Sequence, residues 1–187
     1  VVVGQGYVGL PLAVRAAAVG LDVVGYDVDE RRVAGLQEGR SYVEDVSDAD
    51  LEAVSTAGRY VATTDSSRLD GFDVAIVTVP TPLMDGAPDL SFIEASAETL
   101  GRWLRPGSMV VLESTTYPGT TEDVFGPILE RGSGLVAGRD FHLGYSPERI
   151  DPGNQVWTFE RTPKIVSGIN AASCQAVADF YSQIVET

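Results

Sequence analysis

Cysteine and histidine are almost absent from this sequence, since Cys174 and His142 are the only representatives of the two residue types. A disulfide framework needs cysteine pairs, and a structural zinc site is built from several cysteine or histidine ligands. The sequence therefore excludes both, and we expect no bound metal ion. We interpret Cys174 as a small buried hydrophobic side chain of the last predicted helix. His142 lies in a predicted strand, where we expect it to fill a core or edge position.

Basic residues are scarce as well, because 13 Lys and Arg stand against 27 Asp and Glu and give a formal net charge of −14. Such an acidic surface repels the phosphates of nucleic acids and of anionic membranes, so we predict neither as a partner. No apolar run reaches the roughly 18 residues of a membrane-spanning helix, and no signal-peptide pattern is present. The sequence begins inside its first predicted strand. We therefore expect a piece of a longer, cytoplasmic protein.

The pattern along the chain is that of a single α/β domain over 1–187. Hydrophobic residues make up 44% of the sequence, and the run 72–79 is apolar almost throughout, as strands buried on both faces are. Alternating strands and helices indicate a doubly wound, mostly parallel sheet with helices on both faces. The predicted strands are 1–3, 21–26, 60–63, 72–79, 108–112, 141–145 and 164–167, the predicted helices are 11–20, 30–37, 48–57, 91–104, 119–131 and 171–185, and a loop is predicted at 84–90.

The first strand runs into the pattern G-x-G-x-x-G, formed by Gly4, Gly6 and Gly9, and a helix follows. In a Rossmann-type site the first glycine permits a tight turn, the second lets a pyrophosphate approach, and the third lets the helix pack on the strand. The helix N-terminus offers free N–H groups to the phosphates. Asp27 ends the second strand, 18 residues after Gly9, where it can bind the adenosine ribose and repel the 2′-phosphate of NADP. The sequence thus predicts a Rossmann-type fold that binds NAD.

A glycine-rich turn in some other α/β protein is the alternative to this interpretation. The combination of strand, helix, second strand and acid disfavours that alternative. Three more polar loops follow predicted strands, and ligands of open parallel sheets lie outside the carboxyl ends of the strands. We therefore expect these loops to converge with the glycine turn on one edge of the sheet. They are 78–82, 113–121 and 145–154.

Five segments of the sequence carry a family resemblance that covers essentially all 187 residues. Together they resemble, in order and spacing, the N-terminal domain of the nucleotide-sugar 6-dehydrogenases, the UDP-glucose/GDP-mannose dehydrogenase family. The form of the last segment is more similar to members that act on UDP-N-acetylhexosamines than to members with a PEFLREG-type loop. The segments are GQGYVGLPLA at 4–13, GYDVDERRV at 25–33, VPTPL at 79–83, ESTTYPGTTE at 113–122 and YSPERIDPGN at 145–154.

The resemblance implies a set of residues that bind the cofactor. The backbone N–H groups of Tyr7 and Val8 would bind the pyrophosphate. Asp27 would bind the adenosine ribose, and Arg32 would reach the same ribose or the phosphates. The hydroxyls of Thr81 and Thr115 would line the cleft near the nicotinamide ribose. For Arg32 the alternative is an ordinary exposed helix residue, and for the two threonines it is simple loop capping. Beside Gly4, Gly6, Gly9, Asp27 and Arg32, the cofactor candidates are Tyr7, Val8, Thr81 and Thr115.

The resemblance also makes Glu148 and Thr115 the catalytic candidates. In the family, the glutamate of the Pro-Glu pair lies near the reacting carbon and is thought to position or activate water. A partly buried carboxylate beside a cofactor suits acid–base work. The alternative is a loop acid that fixes the backbone or pairs with Arg149. The substrate-binding candidates are Glu148, Arg149, Ile150 and Asp151.

The reaction implied for the whole protein is a twofold oxidation. The C6 alcohol of a nucleotide-bound sugar becomes an aldehyde and then, through a cysteine thiohemiacetal and thioester, a carboxylate, while two NAD molecules each take a hydride. The family's cysteine lies in a glycine-rich motif that this sequence lacks, so Cys174 is not that cysteine. We therefore expect this chain alone to bind NAD without turnover. The resemblance further implies a UDP-sugar substrate and a homodimer or larger oligomer for the whole protein.

Three other functions remain open at this point. One is another NAD-dependent hydroxyacid or 6-phosphogluconate-like dehydrogenase, against which the segments 113–122 and 145–154 argue. The second is a non-catalytic module that senses nucleotides, and the third is a structural α/β domain with an empty cleft. A ligand-induced rise in melting temperature distinguishes the third from the others, because binding to the native state alone stabilises it.

Overall fold

A computed structural model describes residues 1–84, 86–149 and 159–186 of the chain. Strands and helices alternate through the described residues, as predicted. The strands are β1 (Val2–Val3), β2 (Val23–Tyr26), β3 (Tyr60–Thr63), β4 (Val74–Val77), β5 (Leu83–Met84), β6 (Ala87–Pro88), β7 (Met109–Leu112), β8 (His142–Tyr145) and β9 (Ser167–Gly168). The helices are α1 (Gly9–Ala18), α2 (Glu30–Gln37), α3 (Asp48–Thr56), α4 (Ser91–Gly101), α5 (Gly126–Ser133) and α6 (Ala171–Ile184).

Seven of these strands form one sheet in the order β3-β2-β1-β4-β7-β8-β9. All neighbours are parallel except β8 and β9, which pair antiparallel. The chain moves outward from β1 to β3 and then crosses back to β4 beside β1. This reversal between β1 and β4 is the switch point at which open α/β sheets bind their ligands. The predicted doubly wound, mostly parallel sheet is confirmed.

The core lies on both faces of the sheet. One cluster of buried side chains joins α1, α2, α3 and α6 to the sheet, and a second joins α4 and α5 to its other face. The residues of β7 are buried throughout, which explains why the sequence there is uniformly apolar. No helix in the described part of the chain is long and apolar enough to cross a membrane.

Local signals placed several elements correctly. Asp29 caps α2, because its carboxylate accepts hydrogen bonds from the backbone N–H groups of Arg31 and Arg32 at 2.9 and 3.3 Å. The helix Glu30–Gln37 and the strand Tyr60–Thr63 have the predicted bounds.

Other predictions were wrong in detail. The predicted loop 84–90 contains the short strand β6 and, with Leu83–Met84, forms a two-stranded hairpin. The predicted helix 119–131 begins as a π-helical segment over Thr120–Phe125 before α5. The strand predicted at 164–167 is an antiparallel edge strand, Ser167–Gly168. Cys174 is partly rather than fully buried. The predicted strand position of His142 is confirmed, since it lies in β8, between β7 and β9, and is half-buried.

The contact between the first turn and helix α1 is unusually close. A Cβ added to Gly9 would lie 1.8 Å from the carbonyl oxygen of Gly4 and 2.4 Å from Oγ1 of Thr78. The Thr78 hydroxyl in turn lies 2.8 Å from the Gly4 carbonyl oxygen and 2.9 Å from that of Val3. Helix α1 can therefore pack onto β1 and β4 only if residue 9 has no side chain.

We predict that Gly9→Ala lowers the free energy of unfolding by about 3 kcal/mol or more, because the added methyl meets backbone that cannot move away. Gly6→Ala is the matched control, since a Cβ at Gly6 would have no atom within 4 Å. We expect the control to change stability by less than about 1 kcal/mol. Urea denaturation of the two variants checks this, and equal stability of both would contradict it.

Candidate active site

A cleft of about 1070 Å³ opens at the carboxyl ends of β1, β2, β4 and β7. It brings together most of the residues predicted from the sequence. Gly9 and Arg149 do not line it, and Ile150 and Asp151 lie outside the described residues. The predicted residues that line the cleft are Gly4, Gly6, Tyr7, Val8, Asp27, Arg32, Thr81, Thr115 and Glu148.

The glycine turn leaves an open cradle at the start of α1. Gly4 has φ of 89°, a left-handed conformation that glycine adopts without strain. The space above Gly6 is open to at least 4 Å, and no side chain caps the N-terminus of α1. The first N–H groups of the helix can therefore bind an anion that approaches over Gly6.

Asp27 ends β2 and is held in place by its neighbours. Its side chain is 5% exposed. Its carboxylate accepts hydrogen bonds from the backbone N–H groups of Gln5 at 2.8 Å and of Asp29 at 2.9 Å. Each carboxylate oxygen has two lone pairs, so the group can still accept hydrogen bonds from the hydroxyls of a ribose.

Arg32 and Tyr42 flank this carboxylate. Nη1 of Arg32 lies 3.6 Å from Oδ2 of Asp27, and the guanidinium group lies 5.9 Å from the centre of the Tyr42 ring. The Tyr42 hydroxyl donates a hydrogen bond to the Gln5 carbonyl oxygen, and burial raises the pKa of Tyr42 to about 12. Arg32 is therefore more than an ordinary exposed helix residue. Sequence reasoning missed Tyr42, which lies in a polar segment without periodicity.

Two threonines join the loops after β4 and β7. The hydroxyl of Thr81 donates a hydrogen bond of 2.5 Å to the carbonyl oxygen of Thr115. The hydroxyl of Ser114 donates one of 2.7 Å to the carbonyl oxygen of Val79. Thr81 thus links one loop to the other, a role that resembles the loop capping considered as the alternative. Thr115 is exposed and lines the cleft.

Glu148 reaches the same end of the cleft from the loop after β8. Its side chain is half-buried, and Oε1 accepts a hydrogen bond of 2.7 Å from the backbone N–H of Arg149. The guanidinium of Arg149 donates to the carbonyl oxygen of Pro163 at 3.1 Å. Glu148 therefore does fix the local backbone, as the alternative held, and it also presents a carboxyl group to the cleft.

Behind this end of the cleft lies a buried polar cluster that sequence reasoning missed. Glu113, directly after β7, is fully buried, and its two carboxylate oxygens accept hydrogen bonds from Lys164 and from the Tyr181 hydroxyl. Burial raises the pKa of Glu113 to about 7, an effect that Lys164 and Tyr181 partly offset. One signal was available in the sequence, because Lys164 is its only lysine and precedes the apolar pair Ile165-Val166.

The comparisons with known proteins agree with this geometry. The model of the UDP-glucose/GDP-mannose dehydrogenase family, NAD binding domain, matches residues 1–185. The chain belongs to this family. The match decides against the hydroxyacid and 6-phosphogluconate-like dehydrogenases, and it makes NAD the cofactor of the domain.

Individual relatives are similar over nearly the whole chain. Protein CapL from Staphylococcus aureus is 43% identical over 98% of this chain and 42% of its own length. A UDP-N-acetyl-D-glucosamine 6-dehydrogenase from Pseudomonas aeruginosa is 38% identical over 98% of this chain and 43% of its own. The solved structure of a UDP-D-ManNAc dehydrogenase from Pyrococcus horikoshii superposes with a TM-score of 0.93 at 33% identity, covering 98% of this chain and 44% of that one. This chain therefore spans less than half the length of these relatives.

The raised pKa of Glu113 predicts a pH-dependent stability. Folded Glu113 keeps its proton up to about pH 7, whereas an ordinary glutamate loses it near 4.5. Between these pH values the native state binds more protons, so the contribution of Glu113 to stability is complete at low pH and is lost as the pH rises through 7. We expect a slope on the order of 1 kcal/mol per pH unit in this window.

The double variant Glu113→Gln/Lys164→Met is the reference for this measurement. It removes both ionisable groups together, so that neither charge is left buried alone. Urea denaturation from pH 5 to 8 gives the two stability profiles. Parallel profiles would show that Glu113 does not titrate in this range.

Proposed function

We propose that this chain is the NAD-binding domain of a nucleotide-sugar 6-dehydrogenase, which oxidises the C6 alcohol of a UDP-sugar to a carboxylate. The observation that carries the proposal is the convergence, on one cleft, of an anion-binding helix N-terminus, a ribose-binding carboxylate and the carboxyl group of Glu148. The names of the relatives in P. aeruginosa and P. horikoshii support a UDP-N-acetylhexosamine as the substrate.

The cleft fits a dinucleotide at three points. The open space above Gly6 and the uncapped N-terminus of α1 suit the pyrophosphate, to which Tyr7 and Val8 present backbone N–H groups. Asp27 binds the hydroxyls of the adenosine ribose, with Arg32 beside it. Thr81 and Thr115, in the loops after β4 and β7, would hold the other half of the dinucleotide.

When bound, NAD would accept the hydride that leaves the alcohol carbon. Thr115 lines the wall at this end of the cleft, and the Glu148 carboxyl holds a water molecule or a proton near the reacting carbon. Arg149, Ile150 and Asp151 remain the predicted residues for binding the sugar nucleotide, although Ile150 and Asp151 lie outside the described residues. The remainder of the protein supplies the catalytic cysteine, in keeping with the short span of this chain relative to its relatives.

The setting of the whole protein is part of the same proposal. A cytoplasmic location suits a sequence with a single cysteine. A net charge of −14 argues against nucleic acid as a partner. We further propose that 1–187 folds as one domain and that the whole protein forms a homodimer or a larger oligomer.

We predict that Asp27→Ala lowers the affinity for NAD by about 1–3 kcal/mol, the loss expected for hydrogen bonds to a charged group. The control is Asp22→Ala, which also removes one carboxylate, but from an exposed ion pair with Arg59. Titration calorimetry measures both affinities, and circular dichroism verifies that each variant is folded. An unchanged affinity for Asp27→Ala would remove Asp27 from the site.

A second prediction concerns turnover. We expect the 187-residue chain to bind NAD but to form no NADH with UDP-glucose, UDP-N-acetylglucosamine or UDP-N-acetylmannosamine. The longer protein that contains it should form two NADH per molecule of one of these sugars, followed at the nicotinamide absorbance. NADH formation by the chain alone would refute the proposal that turnover needs the remainder of the protein. Binding of NAD by the longer protein without NADH formation from any of the three would favour the nucleotide-sensing alternative.

A further inference from the structure

A buried cation, Lys164, lies against Glu113, which lines the cleft. Lys164 is the single lysine among 13 basic residues. Every arginine in an ion pair of the described residues has a side chain that is at least 30% exposed, whereas the side chain of Lys164 is 4% exposed. Its ammonium lies 5.1 Å from the ring centre of Phe159 and 5.2 Å from that of Tyr181. The charge is thus enclosed by aromatic rings and by Glu113.

Three separate parts of the chain meet at this charge. Lys164 belongs to the segment that leads into β9, Glu113 follows β7, and Tyr181 lies in α6. Lys164 and Tyr181 each donate a hydrogen bond to a different oxygen of the Glu113 carboxylate. Both oxygens are therefore engaged, and the carboxylate cannot rotate without breaking a buried hydrogen bond.

This cluster is continuous with the two loops that carry the catalytic candidates. Thr115 is two residues beyond Glu113. The loop after β8 begins with Ser146, a buried residue whose hydroxyl lies beside that of Tyr181. Glu148 is two residues further on and is close enough to interact electrostatically with Glu113. Both loops therefore start from groups that contact the same buried cluster.

The geometry points to Glu113, Lys164 and Tyr181 as a positioning network that holds Thr115 and Glu148 in place around the nicotinamide half of bound NAD. A buried ion pair adds little net stability compared with apolar side chains of the same size. Its value here is a fixed geometry, because the Lys164 ammonium holds one oxygen of Glu113 while the Tyr181 hydroxyl holds the other. The three are positioning residues, because they act through the loops. This inference rests on the proposed function.

The experiment compares two ligands that differ only in the nicotinamide ring. NAD carries the nicotinamide ring, which ADP-ribose lacks, whereas both ligands contain the adenosine, the two phosphates and the second ribose. Titration calorimetry on the 187-residue chain gives both affinities for the wild type, Lys164→Met and Tyr181→Phe. The control Arg139→Met removes an exposed cation, whose side chain is 69% exposed and pairs with Asp140.

We expect Lys164→Met to weaken NAD binding by about tenfold and ADP-ribose binding by less than about twofold. Tyr181→Phe removes one hydrogen bond and should weaken NAD binding by about threefold to fivefold. The double variant Glu113→Gln/Lys164→Met lacks the ion pair, so it should bind NAD as weakly as Lys164→Met even when its stability recovers. Should Lys164→Met fail to fold, Tyr181→Phe and the double variant decide the question.

A spectroscopic readout is available because the lysine is unique. A chain labelled with 13C at lysine Cε shows one lysine resonance, that of Lys164. NAD should shift this resonance, whereas ADP-ribose should leave it in place. A merely structural pair would respond equally to both ligands.

The outcomes distinguish a failure of the proposed function from a failure of the positioning network. If the wild-type chain binds neither ligand, the proposed function fails and this inference fails with it. If the wild type binds both, and the Lys164 and Tyr181 variants lose neither affinity or lose both equally, the positioning network is refuted while the proposed function stands.

Discussion

The close approach of helix α1 to the first turn determines where the ligand cleft forms. Gly9 lies against the Gly4 carbonyl and the Thr78 hydroxyl at distances that leave no room for a Cβ. The N-terminus of α1 is thereby brought directly above the ends of β1 and β4, at the switch point of the sheet. A larger residue at position 9 would displace the helix, and its free N–H groups would no longer point into the cleft.

The two ends of the cleft use charge differently. At the end formed by β2, Asp27 is oriented by two backbone N–H groups and remains able to accept hydrogen bonds from a ligand. At the other end the buried charge is already paired within the protein, because the oxygens of Glu113 are engaged by Lys164 and Tyr181. The arrangement around Asp27 suits the binding of a ligand. The arrangement around Glu113 suits the positioning of the loops that bear Thr115 and Glu148.

The fold could be predicted from the sequence wherever its cause was local. The Asp29 cap fixed the start of α2, and the apolar run at 72–79 marked the buried strand β4. The strands β5 and β6 were missed because each has two residues, and prolines around them favour a loop. The start of the helix after Gly119 was predicted, but its π-helical geometry has no recognised sequence pattern.

In the site, too, features with a local cause in the sequence could be predicted and features without one could not. The residues that line the cleft follow strands or belong to a known motif, so their convergence could be predicted from the order of the elements. Glu113 and Lys164 are 51 residues apart in the sequence, with α5 and β8 between them. No periodicity or spacing reports a pairing of that kind, and the single lysine is a signal that the sequence analysis did not use.

The geometry around Asp27 also bears on the choice between NAD and NADP. A site for the 2′-phosphate of NADP needs a cation that is free to pair with it. Arg32 is not free, because its guanidinium lies 3.6 Å from Asp27 and 3.7 Å from Asp29. One cation between two carboxylates leaves a net negative group, which attracts ribose hydroxyls as donors and repels a phosphate. We therefore expect the carboxylates that position Arg32 to disfavour NADP in this cleft as well.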